Sequence, residues 1–214
     1  YAIDGLSQTQ LYTMSDAFGA ALGRDFRQAL ADQRLPKVAA LVDTIAARGQ
    51  GIASSTLIEK ALSDNDRPYV AEPDRIQIYN RPGRSKEDVQ SSGSSYPSGH
   101  TVSAMVRTGL LALMVPEFAP QLLARGSEAG YHRVVLGVHY PLDVIAGRMV
   151  ADAAVGDRWA DPRFRPLITA AGAELRAELE WRCGARLSTC IARDTPYLST
   201  GASLAAYRDR MTYG

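Results

Sequence analysis

The chain has 214 residues, of which 46% are hydrophobic and 22% charged, and its formal net charge is +1. That length suits one compact domain with a sizeable core, and ordinary apolar content excludes a disordered chain. Near-neutral charge argues against a nucleic-acid binder or a polybasic membrane-surface protein that works by bulk charge.

A membrane span needs roughly 18–20 consecutive apolar residues. The longest apolar runs, such as Thr108–Pro116 between Arg107 and Glu117, fall far short of that, so no span is expected. The first residue is Tyr1 rather than Met, for which a cleaved export signal is one explanation.

Leu6–Asp32 is rich in Ala, Leu, Gln and Arg, with Leu11, Met14, Phe18 and Leu22 at helical spacing, and predicts a first helix. Pro36 opens a second, with Val38, Leu41, Val42 and Ile45 on one face as far as Gly49. Thr56-x-x-Glu59 has the pattern of a capping box ahead of a short helix carrying Lys60, which Pro68 ends. Residues 69–96 contain Pro73, Pro82, Gly83 and a Ser/Gly cluster and read as a long surface loop. Arg75–Tyr79 is the one short strand candidate.

From Gly99 to near Pro116, Val102, Met105, Val106, Gly109, Leu110 and Leu113 mark a core-facing helix. A further helix covers Glu117–Val138, with Gly126 and Gly130 blurring its limits. Pro141 reads as the first residue of the next helix, with an inner face of Leu142, Ile145, Met149 and Val150. Leu167–Trp181 and Ala202–Met211 complete an all-α, single-domain reading over residues 1–214. Cys183 and Cys190 are the only cysteines; their even count and short spacing permit a disulfide, which we expect, with two free thiols as the alternative. Metal binding by this pair is not expected, because no histidine or carboxylate cluster lies beside it.

Three segments place polar groups beside apolar runs. In Lys60-x6-Arg67-Pro68, Pro68 pushes Arg67 out of helical geometry, so two cations from neighbouring turns can meet one anion. Lys37, Lys60 and Lys86 are the only lysines among 24 basic residues, which makes the choice at 60 a mild signal. In Tyr96-Pro97-Ser98-Gly99-His100-Thr101, a small-residue turn opens a helix whose free N–H groups favour an anion. Ser98 adds a hydroxyl, Gly99 allows close approach, and His100 exchanges a proton near neutral pH. In Arg133-x5-His139-x3-Asp143, Arg133 adjoins Val134, Val135 and Leu136 and points into a dry region. Asp143 falls in the first helical turn after Pro141, within reach of one ring nitrogen of His139, leaving the other free as a nucleophile. Taken singly, the first reads better as solvated charges at a helix end and the second as an ordinary N-cap with an incidental histidine, while in the third Asp143 reads equally well as a simple dipole partner at a helix start.

Together they resemble the signature of the type 2 phosphatidic acid phosphatase (PAP2) superfamily, Lys-x6-Arg-Pro, Pro-Ser-Gly-His and Ser-Arg-x5-His-x3-Asp, over a motif core of residues 60–143. The run around Tyr96–Thr101 is similar to that of the bacterial class A non-specific acid phosphatases. Three positions depart from the pattern: His132 stands where the superfamily has serine, Ser94 where class A has glycine, and Tyr69 where phenylalanine is common. They bear on subfamily and substrate preference, with His132 expected to alter how Arg133 or a substrate is held.

The resemblance implies a single-domain helical bundle of the PAP2 and vanadium haloperoxidase type, and a periplasmic or secreted protein. It implies hydrolysis of small phosphomonoesters, with phosphotransfer to alcohols as a side activity. His139 would be the nucleophile that forms a phosphohistidine, Asp143 its orienting carboxylate, and His100 the acid that protonates the leaving group. Lys60, Arg67, Arg133, Ser98 and the Gly99 N–H would bind the phosphate, so no metal or other cofactor is called for. Homo-oligomers are common in the family. The competing expectations are a vanadate-dependent haloperoxidase, a soluble lipid-phosphate phosphatase and a non-catalytic phosphate-binding module.

Overall fold

The computed structural model describes residues 11–42, 56–76 and 94–213. A 3₁₀ helix, Leu11–Phe18, precedes α1 (Ala20–Ala31) and α2 (Pro36–Val42). Two short helices follow, α3 (Leu57–Ser63) and α4 (Pro68–Ala71). Then come α5 (Gly99–Met114), a 3₁₀ turn at Pro116–Phe118, α6 (Ala119–Val135) and α7 (Pro141–Ala160). The chain closes with α8 (Arg165–Cys183), α9 (Leu187–Arg193) and α10 (Thr200–Thr212). Among the described residues no strand occurs, and the fold is all-α.

The central element is α5, which packs against α6, α7 and α8. Its Met105, Val106, Leu110 and Leu111 are fully buried and meet Leu122 of α6, Ala151 of α7, and Ile168 and Leu175 of α8 in one apolar cluster. Phe18 closes the N-terminal side of that cluster, its ring 4.7 Å from Phe26 and 5.1 Å, edge-on, from Phe118. Gly126 and Gly130 lie inside α6, facing Met105 and Thr108, and Thr101 and Val144, respectively.

Several expectations need correction. The described part of the Leu6–Asp32 helix, from Leu11 onward, breaks at Gly19, whose φ of 108° no ordinary side chain adopts readily. The free N–H groups of Ala21 and Leu22 at the new helix start are capped by the Asp194 carboxylate, at 2.8 Å each. The second helix is described only to Val42; Ile45 and Gly49 lie outside the described residues. Thr56 makes no side-chain cap, so the capping box does not form. Asp64, in the left-handed conformation, ends α3, and Pro68 begins α4 instead of stopping the helix before it.

Part of the predicted 69–96 loop is therefore helical, and Arg75 and Ile76 of the strand candidate lie in a turn and a bend. Its residues 77–79 fall outside the described residues, as does the rest of 77–93. The helix before the third motif stops at Val135, and Gly137, at φ 68°, turns the chain toward His139. The inner face of α7 is also different: Leu142 and Met149 are exposed, while Asp143, Val144, Gly147, Arg148, Ala151 and Ala154 are buried. Cys183 and Cys190 form the expected disulfide, tying the end of α8 to α9, a helix not anticipated from the pattern.

Candidate active site

The start of α5 carries the second motif. Ser98 is the N-cap and is fully buried; its Oγ accepts the Thr101 hydroxyl at 2.9 Å and the Thr101 N–H at 3.4 Å. Both bonds use the oxygen as acceptor, which leaves the Ser98 O–H proton as a donor for an incoming ligand. The Ser98 N–H donates to the Asp143 carbonyl at 2.9 Å, so the starts of α5 and α7 are bonded through their main chains. Contact there is close enough that a Cβ on Gly147 would stand 2.7 Å from the Ser98 carbonyl oxygen.

The third motif spans the α6–α7 junction. Arg133 leaves the last turn of α6 with only 5% of its surface exposed. His139 is buried, and Pro141 fixes the first turn of α7 so that Asp143 reaches back over it. Asp143 Oδ2 accepts the Tyr140 N–H at 2.8 Å and faces His139 Nδ1 at 3.3 Å. On the other side of the ring, Nε2 is 3.3 Å from Arg67 Nη1, which also donates to the Val138 carbonyl at 2.8 Å.

A guanidinium only donates, so Nε2 is the accepting nitrogen and the ring proton belongs on Nδ1, toward Asp143. The first motif contributes Arg67, extended (ψ 152°) just before Pro68, and Lys60 of α3. The Lys60 Nζ donates to the carbonyls of Ser94 (2.7 Å) and Ser95 (3.4 Å), beside the second motif.

The electrostatics follow from this crowding of cations. Burial, with Arg67 and Arg133 adding to it, lowers the His139 pKa to about 4 against the opposing pull of Asp143. The imidazole is therefore neutral at mildly acidic pH. His100 stands exposed at the rim. Partial loss of hydration, then Arg133, His139, Arg67 and Lys60, hold its pKa well below the ordinary imidazole range. Burial and then Arg67 bring half-buried Lys60 down to about 8, opposed by Asp143, and burial likewise lowers Arg67.

Residues of all three motifs thus lie within electrostatic reach of one another around His100 and His139. An open cleft of about 450 Å³ borders His139, lined by Pro68, Ile76, Val134, Val135 and Tyr140 among others. Lys60, Ser98, His100 and Arg133 do not line this cleft. The carbonyls of Val138, Ser94 and Ser95, which hold Arg67 and Lys60, were not foreseen; main-chain acceptors leave no mark in sequence. His132 is buried, with its Nε2 3.9 Å from Glu128 Oε1, and Glu128 also accepts the Tyr197 hydroxyl at 2.5 Å. Among the described residues no group of three or more His, Cys, Asp or Glu is placed to hold a metal ion, and no helix is long and apolar enough to cross a membrane.

The chain belongs to the PAP2 superfamily, whose model matches residues 38–156, more than half its length. It is 39% identical over 79 residues to a non-specific acid phosphatase of Providencia stuartii, covering 37% of this chain and 32% of the relative. An acid phosphatase of Zymomonas mobilis is 34% identical over 112 residues, 52% of this chain and 38% of the relative. A non-specific acid phosphatase of Salmonella typhi is 36% identical over 93 residues, 44% and 36% respectively. The matched stretches thus span about a third of the relatives' own lengths, from 32% to 38%.

Proposed function

We propose that the protein is a metal-independent acid phosphatase that hydrolyses small phosphate monoesters through a phosphohistidine. The observation that carries this reading is the state of His139: buried, neutral, with Nδ1 turned to Asp143 and Nε2 turned to Arg67. Family membership and the names of the relatives support it.

In this reading a phosphate draws Arg67 off Nε2, and the freed lone pair attacks phosphorus in line. The P–N bond forms as the P–O bond to the leaving group breaks, and His100 gives its proton to the departing oxygen. Asp143 stabilises the imidazolium as it develops. His100, now neutral, takes a proton from water, whose oxygen displaces His139 from phosphorus and releases inorganic phosphate. Lys60, Arg67 and Arg133 balance the charge on the equatorial oxygens, and the Ser98 O–H and Gly99 N–H donate to them. An alcohol in place of water gives phosphotransfer.

Turnover of p-nitrophenyl phosphate at mildly acidic pH tests the reading. We expect it to persist in excess EDTA, to be blocked by vanadate, and to fall about a thousandfold or more in His139→Ala. Near wild-type turnover in that variant would remove His139 as nucleophile. Halide oxidation on adding vanadate, without phosphatase activity, would reassign the pocket to a haloperoxidase. We further propose export to the periplasm or medium; a disulfide between Cys183 and Cys190 suits an oxidising compartment. Activity confined to the cytoplasmic fraction of the producing cells would contradict this.

A further inference from the structure

Helix α3 brings Lys60 to the anion site, yet it is only seven residues long and ends at a left-handed Asp64. A helix so short needs tertiary contacts to hold its direction. Its last residue, Ser63, supplies one. The Ser63 Oγ is 2.8 Å from Ser94 Oγ and donates to the Tyr96 carbonyl at 3.1 Å. The Ser94 Oγ in turn accepts the Asn65 N–H at 3.1 Å, and the Ser95 N–H returns a bond to the Asn65 carbonyl at 2.8 Å.

Each hydroxyl has one proton, so the directions are determined. Ser63 spends its proton on Tyr96, and the proton between the two serines therefore comes from Ser94. The relay runs Asn65 N–H, Ser94 O–H, Ser63 O–H, Tyr96 carbonyl, and each bond polarises the next. It stitches the end of α3 to the segment that leads into the Ser98–His100 turn.

The same segment holds Lys60. Its ammonium has three donors, and the Ser94 and Ser95 carbonyls take two of them, leaving one for an anion. We propose that Ser63 and Ser94 are positioning residues: their hydroxyl relay fixes the two carbonyls against α3 and so pre-places the Lys60 ammonium for a phosphate oxygen. The lysine side chain then surrenders its rotamer freedom before the ligand arrives instead of at binding. Glycine at 94, the residue of the class A pattern, has no hydroxyl for this relay, so the device belongs to the present sequence. The proposal rests on the cationic cluster being a phosphate site.

Calorimetric titration with inorganic phosphate near pH 6 separates the two ideas. Ser63→Ala and Ser94→Gly should each weaken phosphate binding about five- to tenfold, the scale of one lost hydrogen bond. Ser63→Thr, which keeps the hydroxyl, should bind within about twofold of the parent. In a Lys60→Met background, Ser63→Ala should change affinity less than about twofold, because a residue that acts through Lys60 has nothing left to position. A purely structural role would give the same loss with or without Lys60, and that result overturns the proposal. So does unchanged affinity in both Ser63→Ala and Ser94→Gly while the parent binds phosphate. Failure of the parent itself to bind phosphate would instead overturn the anion site, and the positioning role with it.

Discussion

The histidine at the centre of the site is restrained from both sides. Asp143 holds its Nδ1 and Arg67 covers its Nε2, so the nitrogen we propose as nucleophile is occupied in the phosphate-free protein. In the proposed mechanism His100 presents the opposite problem, since an acid must carry a proton, and loss of hydration together with the surrounding cations pushes that proton off. A bound phosphate resolves it by adding negative charge within a few ångströms. We therefore expect the His100 pKa, followed by its Cε1–H NMR signal, to rise by about 1–3 units when inorganic phosphate saturates the protein. An unchanged titration curve would mean that proton delivery to the leaving group comes from elsewhere. This ordering, in which the ligand charges its own acid, could not be read from residue types. The motifs name the histidine and the cations Lys60, Arg67 and Arg133, but not how closely folding crowds them around it.

At the scale of elements, legibility depended on how local the cause was. Helices α5, α6 and α8 were visible because long apolar periodicity reflects burial against several neighbours. The face of α7 was misread because periodicity counts bulk. Where α7 crosses α5 the main chains touch at Ser98, only small residues fit, and the large Leu142 and Met149 are turned outward. The break at Gly19 was hidden for another reason: its cap, Asp194, comes from the far end of the chain. That cap has a measurable worth. Asp194→Ala removes the acceptor for two main-chain N–H groups of α1 and should cost about 1–2 kcal/mol in urea unfolding. Its kcat and KM should remain those of the parent, because none of the motif residues lies on α1. A loss below a few tenths of a kcal/mol would show that water replaces the carboxylate at no cost.

For the molecule as a whole, the histidines set an acid limit. The chain has only three, and His100, His132 and His139 all have pKa values held below the ordinary value in the folded state. The unfolded chain then binds more protons than the folded one between the unfolded value of about 6.5 and the folded values, so stability falls as pH drops through that window. For buried His139, with a folded value of about 4, the loss is on the order of 3 kcal/mol by pH 4. The urea midpoint should accordingly decline from pH 7 to pH 4.5, and His139→Gln should flatten the decline. An identical slope in that variant would locate the titration in carboxylates instead. Saturating phosphate should oppose the decline, since it favours the charged imidazoles of the folded state.

The bond from the Ser98 N–H to the Asp143 carbonyl is made entirely of main-chain atoms. Apart from proline at 98, no replacement of either side chain deletes its donor or acceptor. The spacing between the starts of α5 and α7 is thus set by the backbone, with Gly147 leaving room for their close approach. Side chains elsewhere around the site, His132 and Ser94 among them, can therefore be exchanged without deleting the bond that gauges the two helix starts, whereas any side chain at 147 would press against the Ser98 carbonyl.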